Sequence, residues 1–220
     1  MPSLQLHQYR VAAVSKALCI RHKVEEDTKN IIVACLLHDM GNIIKFKLEL
    51  FPDFLEPEGL DYWQKVKQDF HTRYGNDEHE ATIMITKEIF DSEYPGYEIP
   101  GQAWNDRLKP ERVIELIDAI GFSNAKYNFE CNDIARKIAA YSDMRVEPYG
   151  VTSLEHRLED GHKRFKLHKP HVETEDFFNE MAKYLKKIEQ QLFSSIGIGP
   201  SDITENSVQV YIPSLRSFEL

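Results

Sequence analysis

The 220-residue sequence has few cysteines and no long apolar segment. Its three cysteines, Cys19, Cys35 and Cys131, are too few and too scattered for a disulfide framework or a zinc ribbon. Each lies among apolar neighbours, as is typical of free thiols in a reducing compartment. No segment approaches the roughly 20 apolar residues that a membrane-spanning helix needs, and the N-terminus lacks the apolar core of a secretory signal. We therefore expect a cytoplasmic protein with no membrane partner.

Basic residues are also in deficit. The sequence contains 27 lysines and arginines against 36 aspartates and glutamates, which gives a formal net charge of −9. Proteins that bind long nucleic acids usually carry a basic surplus, because their partner is a polyanion. The charge balance therefore argues against a long nucleic acid as partner and against a polymeric substrate.

Internal repeats and low-complexity segments are absent, and alternating strand-like patterns are scarce. Apolar residues instead recur at helical spacing along most of the chain, which predicts an all-α fold. The predicted helices cover roughly residues 3–22, 27–39, 60–74, 78–91, 107–120, 131–145, 153–168 and 174–195. The helical pattern stops beyond Gly197. We therefore expect one helical domain over 1–197 and an irregular C-terminal tail over 198–220, with a short strand at 208–212. A homodimer contact is one role that this tail could serve.

A histidine and an aspartate stand together at the end of an apolar run. Residues 31–37 are all apolar, and His38 and Asp39 follow them directly. Titratable groups are costly to bury unless they are paired or bind a metal. Because this helix is apolar on all sides, we expect it to be buried and to carry both side chains into the interior. The alternative is that the helix ends there and both side chains point into water.

Two further polar residues fall on helix faces that are predicted to point inward. His7 shares one face of the first helix with Val11 and Val14, and Asp143 lies on a stripe of alanines in the sixth. Alone, His7 would more often be a buried structural histidine, and Asp143 a capping or ion-paired aspartate. A single divalent ion explains two imidazoles and two carboxylates together. Such ligands, with coordination positions left open, suit Mn²⁺, Fe²⁺, Co²⁺ or Ni²⁺, with Mg²⁺ as a further candidate.

His79 opens the fourth predicted helix and shares a face with Ile83, Thr86 and Phe90. The helix dipole disfavours a cation at this end, so we expect a neutral imidazole. Neutral imidazole is the form that both metal binding and proton abstraction require. The alternative is a buried structural histidine.

The order of these residues resembles the HD-domain superfamily of metal-dependent phosphohydrolases. The resemblance rests on His7 in LHQYRVAAV, on His38-Asp39 in LLHDMGN about thirty residues later, and on Asp143 in YSDMRV about a hundred residues beyond. It implies a helical bundle in which these four residues hold one metal ion. It also implies attack of a metal-bound water on a small phosphorylated substrate, with a nucleotide as the leading candidate.

The resemblance extends to residues that would act on the substrate. DEHEATIMI is similar to the His-Glu helix of the branch that hydrolyses deoxynucleoside triphosphates, which makes His79 and Glu80 catalytic candidates. Phosphate oxygens also need cationic donors. Lys45, just past the His-Asp pair, and Arg145, two residues after Asp143, are the substrate-binding candidates. For Arg145 the alternative is to hold Asp143 in orientation.

Two departures from the superfamily pattern narrow the range of functions that the resemblance implies. Asn42 occupies the position at which some members carry a lysine, and no histidine lies between His79 and Asp143. Dinuclear members, including the oxygenase branch, need further histidines there. One metal ion is therefore expected and an oxygenase is disfavoured. The remaining alternative is a non-catalytic module that binds and senses a nucleotide.

The segment EHRLEDGHKRFKLHKPH contains four histidines, namely His156, His162, His168 and His171. Its interleaved charges are typical of a solvated helix face. The alternative is a lid or a basic patch that contacts the substrate.

Overall fold

The computed structural model describes residues 2–50, 52–93, 108–168 and 172–218, and helices dominate these ranges. The α-helices are α1 (Pro2–His22), α2 (Thr28–Leu37), α3 (Leu60–Tyr74), α4 (Glu78–Glu93), α5 (Pro110–Ile120), α6 (Ala125–Glu130), α7 (Ile134–Asp143), α8 (Leu154–His168), α9 (Val172–Phe193), α10 (Glu205–Gln209) and α11 (Ile212–Arg216). The predicted all-α class is confirmed. The eight predicted helices correspond to α1–α5 and α7–α9, whereas the short helix α6 was not predicted.

The sheet within these ranges is a two-stranded hairpin that follows α7 directly. Strand β1 (Val146–Glu147) pairs antiparallel with β2 (Gly150–Val151), with Val146 opposite Val151. The sequence analysis did not predict this hairpin, because two-residue strands are too short to show an alternating pattern. None of the described helices is both long enough and apolar enough to cross a membrane.

The core is built around α1 and α2. Helix α1 packs along α2 and α7, α2 also contacts α5, and α9 covers α6 and α7. Val11, Val14 and Leu18 of α1 have no exposed surface, which agrees with the inward face predicted for this helix. In α2, Ile31 and Val33 are equally buried although they point in different directions. This all-round burial carries the end of α2 into the interior.

An ion-pair cluster joins the N-terminal ends of three helices. Arg112 of α5 lies 2.8 Å from Asp27, which precedes α2, and 2.8 Å from Asp133, which precedes α7. The Asp133 carboxylate also caps α7, since it accepts hydrogen bonds from the backbone N–H groups of Ala135 and Arg136. Helices α2 and α7 therefore start beside each other. Their C-terminal ends also meet, since His38 and Asp143 lie 3.3 Å apart, so the two helices run in the same direction.

The C-terminal segment folds back onto α1. Helices α10 and α11 both contact α1, and Val208, Ile212 and Leu215 are buried in the main core. The strand predicted at 208–212 is therefore wrong. The apolar residues recur here at spacings of three and four, which suits a helical turn packed on one side, and Pro213 opens α11 near its first position. The division of the chain at residue 197 stays a prediction.

Candidate metal centre

His38 follows α2 directly, and a hydrogen bond to the last turn of α2 holds its imidazole in place. Its Nδ1 lies 2.8 Å from the carbonyl oxygen of Cys35, one turn earlier. A carbonyl oxygen only accepts, so Nδ1 carries the proton and donates it. The lone pair of a neutral ring is then on Nε2, which is the arrangement of metal-binding histidines whose second nitrogen donates to a backbone carbonyl.

Four potential ligand atoms converge at the C-terminal ends of α2 and α7. Nε2 of His7 lies 3.7 Å from Oδ2 of Asp39 and 3.4 Å from Oδ1 of Asp143. Nε2 of His38 lies 3.6 Å and 3.3 Å from the same two oxygen atoms. Ligand bonds of about 2.0–2.3 Å place neighbouring ligand atoms about 3–3.8 Å apart. All four separations fall in this range. His7, His38 and Asp39 each offer a ligand atom within 4.8 Å of the others, so these three residues can hold one divalent ion, and Asp143 lies beside both imidazoles.

The imidazole and carboxylate groups of this cluster perturb each other strongly. Burial alone lowers the pKa of the His38 imidazole, but the facing carboxylates of Asp39 and Asp143 raise it to about 9. Burial alone raises the pKa of Asp143, but His38 and His7 beside it, with the charge of Arg157, hold this pKa well below its usual range. A cluster of opposed titratable groups in the interior is typical of a functional site.

The centre is buried without being sealed. The side chains of His7 and His38 are 10 % and 3 % exposed, whereas those of Asp39 and Asp143 are 21 % and 17 % exposed. Water and a small ligand can therefore approach from the carboxylate side.

The turn after Asp39 is clamped onto the start of α4. The backbone N–H of Gly41 donates a hydrogen bond of 2.9 Å to Oγ1 of Thr82. A Cβ atom at Gly41 would overlap with the carbonyl oxygen of Glu78 and lie 2.8 Å from the backbone nitrogen of Thr82. Only glycine permits so close an approach of the turn to the helix. This contact fixes the position of the Asp39 backbone relative to α4.

The structure places the two catalytic candidates at the exposed start of α4. His79 is 47 % exposed, and its Nε2 lies 3.4 Å from Oδ1 of Asp118 on α5. Thr86 and Phe90 are buried as predicted, but the core-facing position predicted for His79 is wrong. Glu80 is also exposed. Neither side chain contributes an atom to the four-atom cluster.

The two substrate-binding candidates have protein partners. Nζ of Lys45 lies 2.9 Å from Oε1 of Glu78. Burial alone raises the pKa of Glu78, but the hydrogen bond and the charge of Lys45, together with a backbone hydrogen bond, lower this pKa below its usual value. Lys45 is 56 % exposed and close to the clamped turn, so it can still exchange partners.

The structure buries Arg145, which contradicts the substrate-binding role predicted for it. The residue is 3 % exposed. Its guanidinium donates hydrogen bonds to the phenol oxygen of Tyr141 and to the backbone carbonyls of Thr152, Pro200 and Ile203. Arg145 therefore joins the C-terminal segment to α7 and the hairpin, and its guanidinium stabilises the fold where a substrate contact was predicted. The chain turns into β1 just after Asp143, which points the arginine away from the path that a continued helix would follow.

One charged residue beside these candidates was missed by the sequence analysis, namely Asp118, which lies 3.4 Å from His79. Among the histidines of the segment EHRLEDGHKRFKLHKPH, His156 is 63 % exposed, in agreement with a solvated face.

His162 of the same segment is not part of a solvated face. His162 stacks on Phe178 and lies 3.1 Å from Glu175, so it belongs to the contact between α8 and α9. The side chains of His168 and His171 lie outside the described residues.

Comparison with known protein families matches residues 5–120 to the model of the HD domain. Comparison with curated proteins and with solved structures gives no significant match. The family match covers more than half of the chain and includes three of the four predicted ligand residues, while Asp143 lies beyond its end. The structure brings Asp143 to the imidazoles of His7 and His38, so the candidate site extends past the matched region. The chain therefore belongs to the HD domain family, whose members are in general metal-dependent hydrolases.

Proposed function

We propose that the protein is a phosphohydrolase that uses one divalent metal ion to release phosphate from a small phosphorylated molecule. Its metal ligands are His7, His38, Asp39 and Asp143. The observation that carries this proposal is that each of two imidazole nitrogens lies 3.3–3.7 Å from the same two carboxylate oxygens. Protein-only ion pairing explains this set poorly, because both imidazoles face the same two oxygens.

The donor set supports Mn²⁺, Fe²⁺, Co²⁺ or Ni²⁺, with Mg²⁺ as a further candidate. Four protein ligands leave about two positions of an octahedral ion for small oxygen ligands. A divalent ion bound there supplies Lewis acid chemistry, which lowers the pKa of water and offsets negative charge on a phosphoryl group. The partial exposure of the carboxylate side supports access for both water and substrate.

A nucleotide is our leading substrate class. The net charge of −9 disfavours a polyanionic polymer, whereas a single nucleotide brings its phosphate to the metal at little long-range electrostatic cost. Lys45 is proposed to exchange its Glu78 partner for a phosphate oxygen when substrate binds.

His79 and Glu80 are the proposed proton-transfer residues. The Asp118 carboxylate lies on the Nε2 side of His79 and favours a proton there. Nδ1 of His79 then keeps the lone pair and can accept a proton from water or return one to a leaving oxygen. Glu80, one residue further along the exposed first turn of α4, is the alternative acceptor.

The experiment that tests the function is a phosphate-release screen over nucleotides and sugar phosphates. The chelator-treated full-length protein is assayed after adding back Mn²⁺, Co²⁺, Ni²⁺ or Mg²⁺. We expect metal-dependent release from at least one substrate class. We also expect Asp39→Ala to lose both metal retention and release by at least about 100-fold, since even residues behind a ligand cost about 10–100-fold.

The matched control is Asp61→Ala, which removes an exposed carboxylate from the first turn of α3. It should keep both metal retention and activity. Release that survives Asp39→Ala contradicts the proposed ligand set. A wild-type protein that retains the metal, binds nucleotide and releases no phosphate across the panel would favour the sensing module instead.

A further inference from the structure

Glu205 is the first residue of α10, and its carboxylate binds two other elements at once. Oε1 accepts a hydrogen bond of 2.8 Å from Nε of Arg10 on α1, and Oε2 accepts one of 3.0 Å from the backbone N–H of Val151 in β2. The contact with Arg10 is also an ion pair, and the Arg10 side chain is only 13 % exposed. The two carboxylate oxygens therefore connect two elements that are distant in sequence.

The start of α10 fixes Glu205 in this place. The hydroxyl of Thr204 accepts a hydrogen bond from the backbone N–H of Ser207, and the hydroxyl of Ser207 accepts one from the backbone N–H of Thr204. Val208, one turn after Glu205, is fully buried in the core. A Cβ atom at Gly150 would lie 3.4 Å from Oε2 of Glu205, so the hairpin approaches the carboxylate closely. The bridge is therefore part of the packed structure.

Each of the two elements that this carboxylate connects leads to a proposed metal ligand. Arg10 lies three residues after His7 on α1, which is about one helical turn. Val151 pairs with Val146, and Val146 opens β1 three residues after Asp143. The carboxylate therefore ties the helix that carries His7 to the hairpin that follows Asp143. Nε2 of His7 and Oδ1 of Asp143 are themselves 3.4 Å apart.

A second connection runs from the same C-terminal segment to the end of α7. The guanidinium of Arg145, two residues after Asp143, donates hydrogen bonds to the carbonyl oxygens of Pro200 and Ile203 at 3.2 Å and 2.8 Å. It also donates to the carbonyl oxygen of Thr152, whose backbone N–H donates back to the carbonyl oxygen of Arg145 at 2.8 Å. The C-terminal segment therefore holds the chain after α7 at two places.

We infer that Glu205 is a positioning residue of the candidate metal centre, which holds His7 and Asp143 at their spacing by fastening α1 to the hairpin. This inference rests on the proposed function, in which both residues bind one divalent ion. Binding groups have to be held to within about 0.5 Å of their productive geometry, so the elements that carry them need an anchor. The inference gives the C-terminal segment a role in the site, although this segment lies outside the residues that match the family model.

The test compares Glu205→Ala with Glu205→Gln, and the matched control is Ser214→Ala. Oγ of Ser214 accepts a hydrogen bond of 2.9 Å from Nζ of Lys16, so this contact fastens the same segment to α1 without involving the hairpin. Binding of Mn²⁺ to each full-length protein is measured by calorimetry. The visible absorption of the Co²⁺-loaded proteins reports the coordination geometry, and urea unfolding of the metal-free proteins reports stability.

We expect Glu205→Ala to weaken Mn²⁺ binding about three- to tenfold and to alter the Co²⁺ absorption bands. This loss is smaller than the roughly 10–100-fold cost of losing a group that touches a ligand, because Glu205 acts through the backbone. Glu205→Gln should restore part of the affinity, because its amide oxygen can still accept from the N–H of Val151. Ser214→Ala should bind Mn²⁺ like the wild type.

A purely structural role for Glu205 would lower the urea midpoint and leave the metal properties of the folded protein unchanged. Wild-type Mn²⁺ affinity and Co²⁺ absorption in folded Glu205→Ala therefore overturn the inference and leave the proposed function intact. A wild-type protein that binds no Mn²⁺ overturns the proposed ligand set, and the inference falls with it. If Glu205→Ala does not fold, Glu205→Gln decides, and wild-type Mn²⁺ affinity and Co²⁺ absorption there overturn the inference.

Discussion

Two charge clusters lie at opposite ends of α2 and α7, and they differ in how their charges are satisfied. At the N-terminal ends, Arg112 is 2.8 Å from both Asp27 and Asp133, and each of these carboxylates has a further protein hydrogen bond. At the C-terminal ends, the carboxylates of Asp39 and Asp143 face two imidazoles. Each imidazole is shared between the same two oxygen atoms at 3.3–3.7 Å.

The difference separates a cluster that stabilises the fold from one that is prepared for a ligand. The guanidinium of Arg112 is matched by carboxylates of its own chain, so nothing further is needed there. In the C-terminal cluster, two imidazole nitrogens and two carboxylate oxygens lie close to one another. In addition, Nδ1 of His7 is buried without a hydrogen-bond partner in the described ranges. Proteins tolerate such unfavourable arrangements chiefly where function requires them.

The largest effect on stability should come from Arg112→Met, which breaks the N-terminal cluster. Two partly buried carboxylates would lose their cation, so we expect the free energy of unfolding of the metal-free protein to fall by about 2–4 kcal/mol. Manganese affinity of the folded fraction should not change, because the proposed ligands lie at the other end of the helices. Urea unfolding and manganese titration measure the two quantities.

The matched control for this change is Arg73→Met, which removes an exposed ion pair with Glu88. Its cost should stay below about 1 kcal/mol, as for surface ion pairs in general. Equal losses in Arg112→Met and Arg73→Met would contradict the stabilising role of the N-terminal cluster. A large loss of manganese affinity in Arg112→Met would show that the N-terminal ion-pair cluster also affects the candidate metal centre at the other ends of α2 and α7.

We expect Gly41→Ala to lower the free energy of unfolding less than Arg112→Met does, and to lower manganese affinity more. The added Cβ overlaps with the backbone of α4, so the turn after Asp39 must move, at a cost of about 1–3 kcal/mol. Because this turn positions Asp39, manganese affinity should fall by at least about tenfold. Unfolding and metal titration, carried out as for Arg112→Met, report both changes.

Gly161→Ala is the corresponding control. A Cβ at this position in α8 would meet Phe178 at an ordinary 3.9 Å, and alanine is a better helix former than glycine. Stability should therefore stay the same or rise by up to about 1 kcal/mol, with manganese affinity unchanged. Wild-type manganese affinity in Gly41→Ala would show that the clamp does not position Asp39.

The sequence was most informative where burial alone determines the direction of a side chain. Because α2 is apolar on every face, it has to be buried, and His38 and Asp39 at its end follow it inward. His79 was misjudged, because periodicity orients a first-turn residue relative to its own helix without showing whether another element covers that turn. The burial of Arg145 depends on the hairpin and on the C-terminal segment, whose positions are set by contacts between residues distant in sequence. Local patterns do not contain such contacts.

The smallest expected effect is a difference in pH dependence, and it tests whether Asp27 is stabilised as a carboxylate. Burial alone raises the pKa of Asp27, but hydrogen bonds from Arg112 and Asn30 lower it below the usual value of 3.8. A lowered pKa in the folded state means that this carboxylate adds stability above about pH 4 and that the contribution is lost as the pH falls further. Between pH 7 and pH 3, the urea midpoint should therefore fall less in Arg112→Met than in the wild type. The difference corresponds to about 1 kcal/mol or less in the free energy of unfolding. Parallel pH profiles in both proteins would contradict this, and the acid sensitivity would then arise elsewhere in the chain.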